Sequence, residues 1–178
     1  MSDLCAGFRS TAQQPFVMGA RMRQGDEGLL AMKFNRIIGR LEDPTPAYRY
    51  LMTQYRESIE KLFDSEGASD GIGGWVGLAE STAKQRARKG YGAYHPILVR
   101  SGDLRDSLID ANHRLACEMV SPRAWYVGTQ VDYAVYHQSR APRTKLPRRP
   151  MMIITNQFRL RIIRTLHWYM VHGEVGSW

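Results

Sequence analysis

Residues 45–64, TPAYRYLMTQYRESIEKLFD, form the most regular amphipathic stretch of the chain. Apolar side chains recur there at helical spacing, and polar side chains occupy the opposite face. The apolar positions are Tyr48, Leu51, Met52, Tyr55, Ile59, Leu62 and Phe63. Thr45 followed by Pro46 is typical of a helix start, because threonine caps free backbone N–H groups and proline suits the first turn. The stretch therefore predicts a core helix over about 46–64.

Downstream of this helix the sequence predicts a small antiparallel hairpin. Residues 114–120 alternate in character, Ser121-Pro122-Arg123 turns the chain, and residues 124–129 return. Two short alternating segments around a turn are typical of an antiparallel pair. Cys117 falls on the side of Leu115 and is expected to be a small buried hydrophobe on the inner face.

The closing part of the chain predicts one more strand and one more helix. Residues 151–154 are apolar and suit a strand. Thr155 can cap a last helix over 156–172, because its hydroxyl can accept from a free N–H of the first turn. Together these elements predict an α+β fold, with a small antiparallel sheet, packed helices and long interaction loops.

The start of the chain is less regular. Residues 1–28 have no period and are interpreted as an extended N-terminal arm, which leaves 29–178 as a single α+β domain. Within residues 29–38 the apolar side chains partly alternate, which predicts a strand. The residues on one side of that strand are Leu30, Met32 and Phe34.

Two shorter helices are predicted between the core helix and the hairpin. A basic helix is expected to begin at a cap at Ser81 or Thr82. In ILVRSGDLRDSL, residues 97–108, a short strand-like lead-in precedes a second helix, capped by Ser101 or Asp103. Serine and aspartate suit this place because the first N–H groups of a helix lack backbone partners.

Charge and composition narrow the function. The chain has 178 residues, with 25 Lys and Arg against 17 Asp and Glu, a net charge of +8. An excess of this size favours an anionic partner such as nucleic acid or an acidic protein surface. No apolar run suits a membrane span and no signal peptide is expected. Two distant cysteines suggest a reducing compartment.

Motifs for catalysis or cofactor binding are missing from the sequence. The histidines form no HExxH pair and no zinc spacing, and no GxSxG frame surrounds Ser101. Asp103, Asp106 and Asp110 could serve a two-metal nuclease, but their setting is typical of a soluble helix. Neither an enzyme nor a cofactor or metal site is expected.

The strongest feature outside the expected core is a basic loop at residues 140–149. Its cations are Arg140, Arg143, Lys145, Arg148 and Arg149, with no acid between them. Such a loop can be merely solvated, or it can contact DNA phosphates or an acidic face of a neighbouring subunit. Contacts with phosphates would make binding strongly dependent on salt.

Five short motifs, in order, resemble the virion morphogenesis or tail-completion family of long-tailed bacteriophages. The similarity covers about residues 46–172. The first two motifs are a tryptophan, Trp75, and a basic helix after Thr82. The remaining motif residues are Ser101, Gly102, Leu104 and Ser107; Tyr133, Ala134, His137 and Gln138; and Pro147, Arg149 and Pro150. The chain departs from the family pattern at Ser139-Arg140, where a small residue and a glycine are usual.

The resemblance implies a non-enzymatic virion protein, assembled in the host bacterial cytoplasm and located at the neck or tail end. It implies a homo-oligomeric ring, a hexamer or a dodecamer, that completes or terminates the tail and joins it to the DNA-filled head. The implied partners are further copies of the chain, neighbouring neck and tail-tube proteins, and the genomic DNA that passes through the lumen. The alternative is a small DNA-binding protein that uses its basic segments 84–89 and 140–149.

Overall fold

The structure is a computed structural model, which describes residues 25–69, 73–140 and 146–176. The chain divides into two compact units, residues 1–35 and 36–178. The described residues form six helices and one antiparallel pair of strands, which confirms the predicted α+β class. In chain order they are α1 (Asp26–Glu42), α2 (Thr45–Asp64), α3 (Glu80–Arg88), α4 (Asp103–Ile109), β1 (Ala116–Ser121), β2 (Ala124–Thr129), α5 (Ala134–Gln138) and α6 (Asn156–His172).

The first helix corrects the strand predicted over 29–38. α1 is continuous through that segment and carries two acidic residues in its first turn, where the helix dipole favours them. The alternation that suggested a strand was ambiguous, because Leu30, Phe34 and Ile38 are also four residues apart and share one helix face. The helical period describes this segment better than the period of two.

The predicted N-terminal arm lies mostly outside the described residues. Of residues 1–28, only 25–28 are described, and 26–28 form the first turn of α1. A single domain over 29–178 stays a prediction. In the first compact unit the described part is residues 25–35, which belong to α1 apart from Gly25.

In the second unit, α2 supplies the centre of the core, as predicted. Pro44 occupies the N-cap, so the expected Thr45 cap is wrong. The Thr45 N–H donates to Asp43 Oδ1 at 3.1 Å, and hydrogen bonding to Thr45 lowers the pKa of that carboxyl. Around α2 the buried cluster includes Tyr55, Ile59, Leu62, Phe63, Trp75, Ile97, Leu104, Leu108, Met151 and Phe158.

The hairpin forms as predicted, but its faces are reversed. β1 and β2 pair from Ala116 with Thr129 to Ser121 with Ala124. Cys117 is exposed, so its predicted burial is wrong, and Met119 on the same face is 55% exposed.

An ion pair explains the reversal of the hairpin faces. Arg56 of α2 is buried, and its guanidinium donates to Glu118 at 2.7 Å and to the Leu108 carbonyl at 2.8 Å. A buried cation needs such partners. The face that carries Glu118 therefore points inward, where Trp125 and Val127 pack on the core.

The starts of α3 and α4 lack the predicted side-chain caps. α3 begins at Glu80 after Ala79, ahead of both expected caps. At α4 the N-cap is Gly102 with a φ of 93°, and Ser101 Oγ donates to Asp103 Oδ2 at 2.9 Å instead. Residues 97–100 form no strand, and Leu98 has a left-handed φ of 61°.

The last helix is the most accurate prediction. α6 spans the expected residues, and Thr155 Oγ1 accepts from the Phe158 N–H at 3.2 Å. Gly173 ends the helix in the left-handed conformation. No helix in the described part of the chain is long and apolar enough to cross a bilayer.

Candidate interaction groove

Several separate segments of the second unit meet around one groove of about 820 Å³. Its walls are residues 76–79, three residues of α3 (Thr82, Gln85 and Arg86), residues 98–100, Tyr133 with His137, and residues 146–147 with Arg149. We call this site the arginine groove, because Arg86, Arg100 and Arg149 line it. The described residues that form its walls include no acid, and many are apolar. A groove of this size and character suits a ligand with apolar groups and negative charge.

Trp75 fixes the segment that forms the first wall. The side chain is 7% exposed and meets the ring of Phe63 edge-on at 5.2 Å. Its Nε1–H donates to the carbonyl of Pro150 at 2.9 Å, and its backbone N–H donates to the carbonyl of Glu66 at 2.7 Å. The indole therefore joins two walls of the groove to the core.

Arg149 has an internal position that the sequence did not predict. The residue is 3% exposed, and its Nε and Nη2 donate to the carbonyls of Val76 and Gly77 at 2.7 and 2.8 Å. Burial lowers the pKa of the guanidinium. Arg149 therefore does not belong to the exposed contact set of the basic loop, and it stabilises the wall at 76–77.

The side chain of Gln138 forms the hydrogen bonds with residues 151–152 that a neighbouring strand would otherwise form. Its Oε1 accepts from the N–H groups of Met151 and Met152 at 3.0 and 3.1 Å, and its Nε2 donates to the carbonyl of Met152 at 2.8 Å. The strand predicted at 151–154 is wrong, since this segment belongs to no sheet. A side-chain amide satisfies the backbone groups that a neighbouring strand would otherwise satisfy.

His137 lies in the groove wall beside Arg149. The residue is 9% exposed, and its Nδ1 has no hydrogen-bond partner among the described residues. Burial, reinforced by the Arg149 cation, lowers the pKa of the imidazole below its ordinary 6.5. Both causes favour the neutral form of the ring over the charged form.

Arg86 is the second buried cation of the groove. It is 6% exposed, and both terminal nitrogens donate to the carbonyl of Pro96 at 3.1 Å, while Nη2 also reaches that of Val99 at 3.2 Å. Its Nε has no hydrogen-bond partner in the described part of the chain. The basic segment 84–89 thus loses its central cation to the interior, and Lys84 pairs with Glu80 at 2.7 Å.

The other motif residues split between the core and the surface. Leu104 and Ala134 are buried in the core, and Pro147 lines the groove. Ser107 is fully buried and shares a hydrogen bond of 2.7 Å with Thr129. Tyr133 is 42% exposed, and its partial burial raises the pKa of its hydroxyl.

The rest of the basic loop is only partly described. Arg140 is exposed, and Arg148 is exposed with a 3.3 Å hydrogen bond from Nε to the carbonyl of Gln138. Arg143 and Lys145 lie outside the described residues. Two cations of the basic loop are therefore exposed among the described residues, and Arg148 lies between the groove residues Pro147 and Arg149 in the sequence.

The three acids considered for a nuclease have local partners, and Asp110 Oδ1 accepts from the Asn112 N–H at 2.8 Å. Asp103 lies 3.8 Å from His113 and 3.6 Å from Arg114, and Asp106 lies 3.6 Å from Arg105. The described residues contain no group of three or more His, Cys, Asp or Glu that could hold a metal ion.

Sequence reasoning missed the buried roles of Arg56 and Arg86. Arg56 lies at helical spacing from Met52 and Ile59 on the apolar side of α2, which is a signal for its burial. In α3 the other buried residue is the small Ala83, so the pattern around Arg86 gives little warning. Their partners are mostly backbone carbonyls distant in sequence. A one-dimensional pattern carries no signal for such partners.

A family model places the chain among known proteins. The model described as the phage virion morphogenesis family matches residues 28–170, which is 143 of the 178 residues. The chain belongs to the phage virion morphogenesis family, and this confirms the resemblance. No curated protein and no solved structure matches the chain. Membership indicates a virion-associated protein with a role in phage structure or morphogenesis.

Proposed function

We propose that the protein is a structural subunit of the phage neck or tail end, which assembles as a ring, completes the tail and joins it to the DNA-filled head. Family membership carries the general part of this proposal. The partners proposed are further copies of the chain, neighbouring neck and tail-tube proteins, and DNA in the lumen.

The hydrogen-bond network around the arginine groove supports a scaffolding role. Trp75, Gln138 and Arg149 direct their polar atoms to backbone groups of neighbouring segments. A site built for acyl or phosphoryl chemistry would instead direct nucleophiles, bases or oxyanion donors to a shared point. The network fixes the shape of a surface, which is what an assembly subunit requires.

The DNA-binding alternative has less support than the charge of the chain suggests. Arg86 and Arg149 are buried and bonded to carbonyls, so each of the two basic segments loses a cation to the interior. Phosphate contacts require cations that reach the solvent. Arg140 and Arg148 remain exposed and could still flank passing DNA.

Ring formation is tested by mass photometry and negative-stain electron microscopy of the purified full chain. We expect closed rings of one stoichiometry, because identical subunits joined head to tail form a ring when the rotation closes. A monomer at all concentrations, together with salt-sensitive retention of naked DNA, would favour the DNA-binding alternative.

A further inference from the structure

α1 combines negative charge and exposed apolar side chains. None of its residues is buried, although it carries several large apolar side chains. Leu29, Leu30 and Phe34 are 50%, 41% and 55% exposed. Its first turn carries Asp26 and Glu27. An amphipathic helix normally covers its apolar face with another element.

The arginine groove has the complementary properties. Its described lining includes no acid, and its apolar walls include Val76, Leu98 and Leu146. Of its three arginines, Arg86 and Arg149 are bonded to backbone carbonyls, which leaves Arg100 for contacts. Arg100 is exposed, so its charge is accessible to an incoming group. Acidic and apolar groups adjacent on one helix would meet cationic and apolar groups adjacent in one groove.

Two buried nitrogens in the groove walls also lack partners. His137 Nδ1 and Arg86 Nε have no hydrogen-bond acceptor or donor among the described residues, although both residues are more than nine-tenths buried. A buried polar group without a partner destabilises the fold. A ligand bearing carboxylates would supply acceptors next to these walls.

We infer that the start of α1, with Glu27 and Leu30, docks in the arginine groove of a neighbouring copy of the chain. This inference rests on the proposed ring function and names its subunit contact. Because the helix start and the groove are different surfaces, the contact is head to tail, the kind that closes rings. One helical turn about 10 Å wide occupies roughly 400 Å³, so the groove volume of about 820 Å³ matches about two whole turns.

A charge swap in the full chain tests the contact. Arg100→Glu and Glu27→Arg should each weaken assembly about tenfold or more, because each places like charges together. The double variant should restore assembly to near the wild-type level. Arg88→Glu and Glu42→Arg are the matched controls, since both residues are exposed and Arg88 does not line the groove. Both controls should assemble normally.

A photo-crosslinker at Leu30 identifies the partner surface directly. In a mixture of isotopically light and heavy copies, we expect crosslinks between copies to residues 76–79 or 98–100. Crosslinks to other surfaces, or crosslinks within one copy only, would overturn the contact.

The outcomes separate this inference from the ring proposal. If the wild type forms rings and the single reversals do also, the contact is wrong and the ring stands. If the wild type forms no oligomer, the ring proposal fails and the contact fails with it. If Arg100→Glu abolishes only retention of DNA, the groove serves nucleic acid and the contact is overturned.

Discussion

Gly67 and Trp75 are in such close contact that a side chain at position 67 has no room. A Cβ built on Gly67 would lie 2.5 Å from Cδ1 of the Trp75 indole. Gly67 also has a φ of +85°, a backbone conformation that residues other than glycine rarely adopt. The turn after α2 therefore depends on glycine for two reasons, and that turn positions the indole against Phe63.

Gly67→Ala should destabilise the fold more than Gly73→Ala. Both glycines have nearly the same φ, +85° and +87°, but a Cβ at Gly73 meets nothing within 4 Å. Both variants lose about 1–2 kcal/mol from the left-handed backbone, and Gly67→Ala should lose about 1–3 kcal/mol more by overpacking. Chemical denaturation measures both, and equal losses would mean that the indole moves aside without cost.

Arg149→Met should cost about 3 kcal/mol, because the carbonyls of Val76 and Gly77 lose charge-assisted hydrogen bonds from a buried guanidinium. Arg148→Met is the control, since Arg148 is exposed and its replacement should change stability by about 0.5 kcal/mol or less. Thermal unfolding of the two variants gives the comparison. Similar melting temperatures would contradict the internal role of Arg149.

The fold should become less stable as the pH is lowered, and His137 should contribute to this loss. Its pKa is lowered in the folded state from an ordinary 6.5, so the unfolded chain binds more protons in acid. The free energy of unfolding should therefore decrease as the pH falls through 6.5 and below.

His137→Gln should flatten that part of the pH profile, and His167→Gln, at an exposed position, should leave it as in the wild type. Urea unfolding at several pH values between neutral and mildly acidic measures the slope. An unchanged slope in His137→Gln would show that other groups cause the acid sensitivity.

Thr155→Ala should cost about 1 kcal/mol as a lost helix cap. Ser101→Ala should cost about 0.5 kcal/mol or less, because Ser101 bonds to the Asp103 carboxylate and caps no backbone N–H. Thr155 and Ser101 were both candidate helix caps in the sequence. Denaturation curves of the two variants show which residue acts as a cap. A larger loss for Ser101→Ala would contradict the capping assignment.

The elements that the sequence predicted well have a local cause. The apolar spacing of α2, the cap Thr155 and the turn between β1 and β2 all act within a few residues. Such signals can be recognised without knowing the fold. The error at α1 arose because the same residues fitted both the strand period of two and the helical period. The error at Cys117 arose because either face of the strand could have been the buried one.

The groove could be predicted only in part. Trp75, His137 and Gln138 were recognised as motif residues, but their contacts join segments far apart in sequence. Arg149 was counted with the exposed cations because its sequence neighbours are basic. Its burial is decided by the carbonyls of Val76 and Gly77, which no pattern near Arg149 reveals.

The most direct test of the proposed function is electron microscopy of lysates from a phage with a nonsense mutation in this gene. We expect full heads beside unattached tails, and no such separation when the wild-type chain is supplied in trans. Tails of normal length would indicate completion or docking, and overlong tails would indicate a length terminator. Intact virions in the mutant lysate would contradict the joining function.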